Sequence, residues 1–193
     1  MKKGIILVVL LFCAGLLRAE IGIKAGMSGF TDYTMRQRYP DWGKSIGIFY
    51  RTEGKPLVLQ FDWEYLKTET KGKFSGFLGE TVWTEGGNLK YFATPISASI
   101  LIWDKFLYVG GGAVFYPMRE IFEGGIAEDS GFAYYLANSN YTKSYYGGQI
   151  MLGLESKGYA IEIRYRFIPS EGDEHFRETI SIGGLILSFQ KSW

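Results

Sequence analysis

Between Leu57 and Tyr65 the chain alternates strictly. Leu57, Leu59, Phe61, Trp63 and Tyr65 share one parity, and Val58, Gln60, Asp62 and Glu64 the other. The pattern returns near the end, where Tyr159, Ile161, Ile163, Tyr165 and Phe167 alternate with Ala160, Glu162, Arg164 and Arg166. A period of two sends successive side chains to opposite faces of an extended chain. Each run is therefore a strand with one apolar and one polar face.

Weaker runs repeat the theme. Ile21, Ile23, Ala25 and Met27 oppose Gly22, Lys24, Gly26 and Ser28; Ile150, Leu152 and Leu154 oppose Gln149, Met151, Gly153 and Glu155. Ile46, Ile48 and Tyr50 oppose Ser45, Gly47 and Arg51, with Phe49 on the polar side against the pattern. Strands are predicted at 20–30, 44–52, 57–68, 89–103, 105–116, 144–155, 158–168 and 178–190. Aromatic residues make up 17% of the chain and glycines number 26, a composition that favours strands and barrels over helices.

The connections fall into two classes. Glu53-Gly54-Lys55-Pro56, Asp104-Lys105 and Ser156-Lys157-Gly158 read as tight turns, whereas 31–43, 70–88, 117–143 and 170–177 read as longer polar loops. An even number of strands, with short turns at one end and long loops at the other, predicts an all-β, eight-stranded antiparallel up-and-down transmembrane β-barrel.

Alternation does not by itself separate a membrane barrel from a soluble lipocalin-like one, because the two differ in which face points in. Side-chain size decides. The polar parity is rich in small residues, among them Gly22, Gly26, Ser45, Gly47, Ser97, Ser99, Gly110, Gly112, Gly147 and Gly153, while the apolar parity carries rings. The lumen of an eight-stranded barrel is only wide enough for side chains to fill. Small groups fit inside it and rings fit outside against lipid.

That assignment turns Lys24, Arg51, Asp62, Glu64, Glu155, Glu162, Arg164 and Arg166 inward. Four cations and four anions in a narrow space must pair. The expectation is a structural salt-bridge network that plugs the lumen, in preference to an ion or proton path. Tyr50, Trp63, Tyr65, Trp103, Phe115, Tyr116, Tyr146, Tyr159 and Phe167 lie near strand ends and are expected to form aromatic girdles at the membrane boundaries.

The first residues read as a secretory signal peptide, with basic Lys2 and Lys3, an apolar run from Gly4 to Leu17, and cleavage near Ala19. This divides the chain into a leader at 1–19 and a barrel domain at 20–193, exported to a bacterial outer membrane. Cys13, the only cysteine, leaves with the leader, so no disulfide or thiol nucleophile remains. His175 is the only histidine, which excludes a Cys₂His₂-type metal site. A formal net charge of +1 gives no reason to expect nucleic acid as a partner, and no cofactor is expected.

Several stretches resemble the outer-membrane β-barrel domain families of small eight-stranded barrels, the PorT-like and OmpX-like branches among them. Tyr91-Phe92-Ala93-Thr94-Pro95-Ile96 is similar to their aromatic–apolar–x–apolar–Pro–apolar strand, with Thr94 replacing an aliphatic residue. Tyr108-Val109-Gly110-Gly111-Gly112 resembles their glycine-rich fifth strand, and Gly147 to Phe167, with Arg164-Tyr165, resembles their closing strands. The resemblance implies architecture and location more than activity.

The expected function is therefore that of a non-enzymatic, porin-like, monomeric barrel embedded in outer-membrane lipids. It would support the envelope or bind a surface ligand or protein through 70–88 and 117–143. One alternative is a lipid-modifying enzyme performing acyl transfer or deacylation with residues near His175, such as Ser170, Glu171, Asp173 and Glu174. A soluble periplasmic lipid carrier is a third.

Overall fold

The structure, a computed structural model, describes residues 19–78, 82–128, 134–170 and 180–193. Residues 1–18, where all but the last residue of the expected leader falls, lie outside the described residues, as do His175, Glu171, Asp173 and Glu174.

Eight antiparallel staves close into one ring. The elements are β1 (Ala19–Phe30), α1 (Tyr33–Arg38), β2 (Gly43–Thr52), β3 (Leu57–Leu78), β4 (Val82–Ala93), β5 (Ile96–Asp104), β6 (Leu107–Glu128), β7 (Tyr134–Ser156), β8 (Tyr159–Phe167), β9 (Pro169–Ser170), β10 (Ile180–Ser181) and β11 (Gly184–Ser192). β1 pairs with β2 on one side and with β11 on the other, from Gly22–Ser192 to Phe30–Gly184, which seals the ring.

β4 and β5 form a single stave, interrupted at Thr94-Pro95, where proline cannot donate to the ladder. The neighbours bridge the break. Thr94 N–H donates to Pro117 O at 2.9 Å, and Glu64 N–H donates to Pro95 O at 3.0 Å. β9 and β10 pair with each other and extend the staves of β8 and β11 beyond a break at Ile168 and Ile182, whose backbones share a 3.0 Å bond.

The tight turns stand where expected. Lys157 and Gly158, at φ +52° and +75°, both take the left-handed region that a two-residue hairpin turn requires. The long connections differ from expectation. Much of 70–88 and 117–143 is strand, because β3 and β4 stay paired out to Leu78–Val82 and β6 and β7 out to Glu128–Tyr134. β3 and β6 each run 22 residues, against about 9–11 needed for a tilted strand to cross a bilayer. β4 also pairs with β6, from Ala93–Met118 to Trp83–Glu128. β2 stops pairing with β3 at Lys44–Lys67, and β8 stops pairing with β7 at Gly148–Phe167. Above that level the described pairings join β3, β4, β6 and β7 into a four-stranded sheet. The connection at 31–43 is also not a plain loop, since it contains α1.

Two apolar clusters lie inside the ring. One, at the turn end, holds Val58, Leu101, Trp103, Tyr108, Met151 and Ala160. The other, at the long-hairpin end, gathers Met35, Tyr39, Leu89, Tyr91, Val114, Tyr116, Met118, Phe122 and Tyr145. Trp103 and Tyr116 therefore do not belong to the girdles: both are buried in the lumen. Phe115 and Tyr116 are consecutive on a strand, so only one of them can face lipid. Phe115 does so, with its ring centroid 5.2 Å from that of Tyr146.

Candidate functional site

The lumen is built in three layers, and glycine placement makes room for them. Gly22 stands in register with Phe49, and Gly153 with Tyr108. A Cβ on either glycine would collide with the facing ring. Phe49, the residue that broke the sequence pattern, is thus an inward ring seated over a glycine.

In the turn-end layer Arg51, 1% exposed, is held on every side. Its Nε donates to Gln60 Oε1 at 2.5 Å, Nη1 to Glu155 Oε2 at 2.6 Å and Nη2 to Gln190 Oε1 at 2.6 Å. Its guanidinium lies 4.4 Å from the Phe49 ring centroid and 5.1 Å from those of Trp103 and Tyr108, within cation–π range.

The middle layer is ionic. Lys24 Nζ donates to Asp62 Oδ1 at 2.5 Å and also pairs with Glu64. Arg164 reaches Glu162 Oε1 at 2.6 Å, Glu64 Oε1 at 2.8 Å and Asp62 Oδ2 at 3.2 Å. Arg166 Nη2 meets Glu64 Oε1 at 2.7 Å, and its Nε donates to Gln149 Oε1 at 3.1 Å. Neutral groups complete the layer. Gln149 Nε2 donates to Ser97 Oγ at 3.0 Å and to Ser99 Oγ at 2.8 Å, Ser97 Oγ donates to Asp62 Oδ2 at 3.1 Å, and Tyr108 Oη donates to Glu162 Oε2 at 2.8 Å.

All eight residues singled out from sequence are inside the ring. Seven are buried and Glu155 is nearly so, its side chain 10% exposed. The network also recruits Gln60, Gln149, Gln190, Tyr108, Ser97 and Ser99, which the sequence argument did not count in the network. The inward parity of Gln60, Gln149, Ser97 and Ser99 was visible, but neutral amides and hydroxyls carry no charge signal.

The third layer closes the long-hairpin end. Asp32 caps α1, its Oδ1 accepting from Thr34 N–H at 2.9 Å and Met35 N–H at 3.3 Å, while its Oδ2 accepts from Ser181 N–H at 3.2 Å. Met35 is driven into the mouth with no exposure. Tyr39 Oη donates to Glu120 Oε2 at 2.7 Å, and Arg38 pairs with the same carboxylate. Burial, with the Glu120 charge beside it, pushes the Tyr39 phenol well above its ordinary pKa and keeps it a donor. Between this cap and the ionic layer lies a cavity of about 20 Å³, lined in part by Tyr91, Tyr116 and Arg166. That is room for about one water.

The outside is the converse. Ile23, Ile46, Ile48, Trp63, Ile100, Ile150, Ile161, Ile163 and Phe189 are each about half exposed. A soluble barrel would place these residues inward and the charges in water. This is the surface of a membrane-spanning barrel.

The soluble lipid-carrier alternative fails on this inversion. Solved structures similar to the chain include two outer-surface proteins. Neisserial surface protein A (NspA) has 13% sequence identity and a TM-score of 0.42, with 90% of this chain and 92% of that chain covered. A major outer membrane protein from Thermus thermophilus has 11% identity and a TM-score of 0.49, with 91% of this chain and 99% of that one covered. No family model matches the chain, and no curated protein matches it in sequence.

Proposed function

We propose that the chain is a non-enzymatic, monomeric barrel of a bacterial outer membrane, and that its work is done above the membrane. The observation that carries this reading is the three-layered filling of the lumen. Apolar clusters at both ends enclose an ionic band in which Lys24, Arg164 and Arg166 answer Asp62, Glu64 and Glu162, and Arg51 answers Glu155 in the turn-end layer, so each of these eight lumen charges has a counter-charge and is committed to the filling. What remains for recognition is the sheet of β3, β4, β6 and β7. β3, β6 and β7 run 22, 22 and 23 residues, about twice the length needed to cross, and with β4 they hold the described parts of 70–88 and 117–143 in extended form. Such a sheet suits contact with a protein or with the surrounding envelope better than it suits transport.

Recording from the purified protein in a planar bilayer, after its insertion is confirmed by membrane fractionation, tests the reading. The expected trace is flat. Large steady unitary currents from the inserted protein would overturn the plugged lumen.

A further inference from the structure

We propose that the outer face of β1, β2 and β3 holds one phospholipid, an acyl chain lying over Ala25 and the phosphate resting on Lys191. The proposal rests on the membrane reading above. A hollow of about 370 Å³ interrupts the apolar belt here, within the range of about 300–1,000 Å³ typical of small-molecule sites. Its origin is one short side chain. Ala25 points outward between its register partners Ile46 and Phe189, with Ile23 and Met27 beside it on its own strand. A methyl group among large neighbours leaves a trough, and Trp63 and Tyr65 form its far wall.

Lys191 closes the trough at the turn end, in register with Ile23. Its Nζ lies 4.1 Å from the Tyr159 ring centroid, which draws the stem along the apolar wall and carries the ammonium toward the boundary. Lys24 and Glu64 also border the trough, but their side chains are buried in the lumen network and offer the trough no charge. The stem of Lys191 borders the trough and its ammonium stands beside it, over Tyr159 of β8; an apolar trough with one cation at its flank is complementary to a chain that ends in a phosphate. Water cannot fill it at that depth, because no polar partners line it.

Delipidated protein in detergent, titrated in separate arms with phosphatidylglycerol and with uncharged diacylglycerol and weighed by native mass spectrometry, provides the test. Heat-shifted gel mobility first confirms that each variant is folded. The wild type should retain one phosphatidylglycerol. Ala25→Trp should reduce retention of both lipids about tenfold, and Lys191→Gln should reduce phosphatidylglycerol about tenfold while sparing diacylglycerol. Ala25→Leu serves if the tryptophan variant does not fold. Undiminished binding by a filled trough overturns the proposal, as does a dimer mass in place of the lipid adduct. A wild type that inserts into vesicles yet retains no lipid defeats this site alone; one that never inserts defeats the membrane reading itself.

Discussion

Arg164, 1% exposed, answers three carboxylates at once, from Asp62, Glu64 and Glu162. Replacing it by leucine leaves those groups buried with one cation fewer, and we expect a loss of about 3–5 kcal/mol in urea unfolding from detergent micelles. Arg164→Lys keeps the charge but gives up the planar fork, so its loss should be smaller. The glycines give a sharper contrast. Gly153→Ala drives a methyl into the Tyr108 ring and should cost about 1–3 kcal/mol in the same assay. Gly148→Ala faces outward, with its nearest neighbour, Gly112 O, at 3.7 Å, and should stay within about 0.5 kcal/mol. At this scale the sequence revealed which charged side chains point inward, because parity groups them and side-chain size assigns the face, whereas Trp103 and Tyr116 were placed on the wrong face by their ring chemistry. It did not reveal their partners. Arg38 and Glu120 are 82 positions apart and meet only once the ring has closed.

Strands were legible where lipid and lumen impose opposite demands, as in β3 up to Leu66 and throughout β8. They were illegible beyond the membrane. From Lys67 to Gly76 the sequence has no apolar alternation, so strand was mistaken for loop. α1 escaped notice for another reason: six residues are too few for a periodic stripe, and only Asp32 marked its start. The helix depends on that carboxylate for both its cap and its tie to Ser181. Asp32→Ala should therefore loosen α1 by about 1 kcal/mol. Faster hydrogen exchange at the Met35 and Arg36 amides would register this, with the amides of β8 unchanged.

The whole molecule presents one apolar belt outward, and a single charge tests its surroundings. Ile163 lies midway along β8, between Leu152 and Leu187. Ile163→Arg should lower stability in lipid vesicles by about 2–4 kcal/mol, as expected for arginine near the bilayer midplane. A negligible change would count against lipid contact at that position. The ionic contacts also span the molecule. β3 and β8 stand four staves apart in the ring, as do β2 and β7, so Glu64–Arg164 and Arg51–Glu155 are diametral braces. Neither brace can form in an open sheet, however well its neighbouring strands are paired. Until the first strand meets the last, those charges must stay hydrated, and a hydrated lumen wall cannot sink into hydrocarbon. The braces thus tie insertion to completion: a barrel that has failed to close is kept at the water's edge by its own interior.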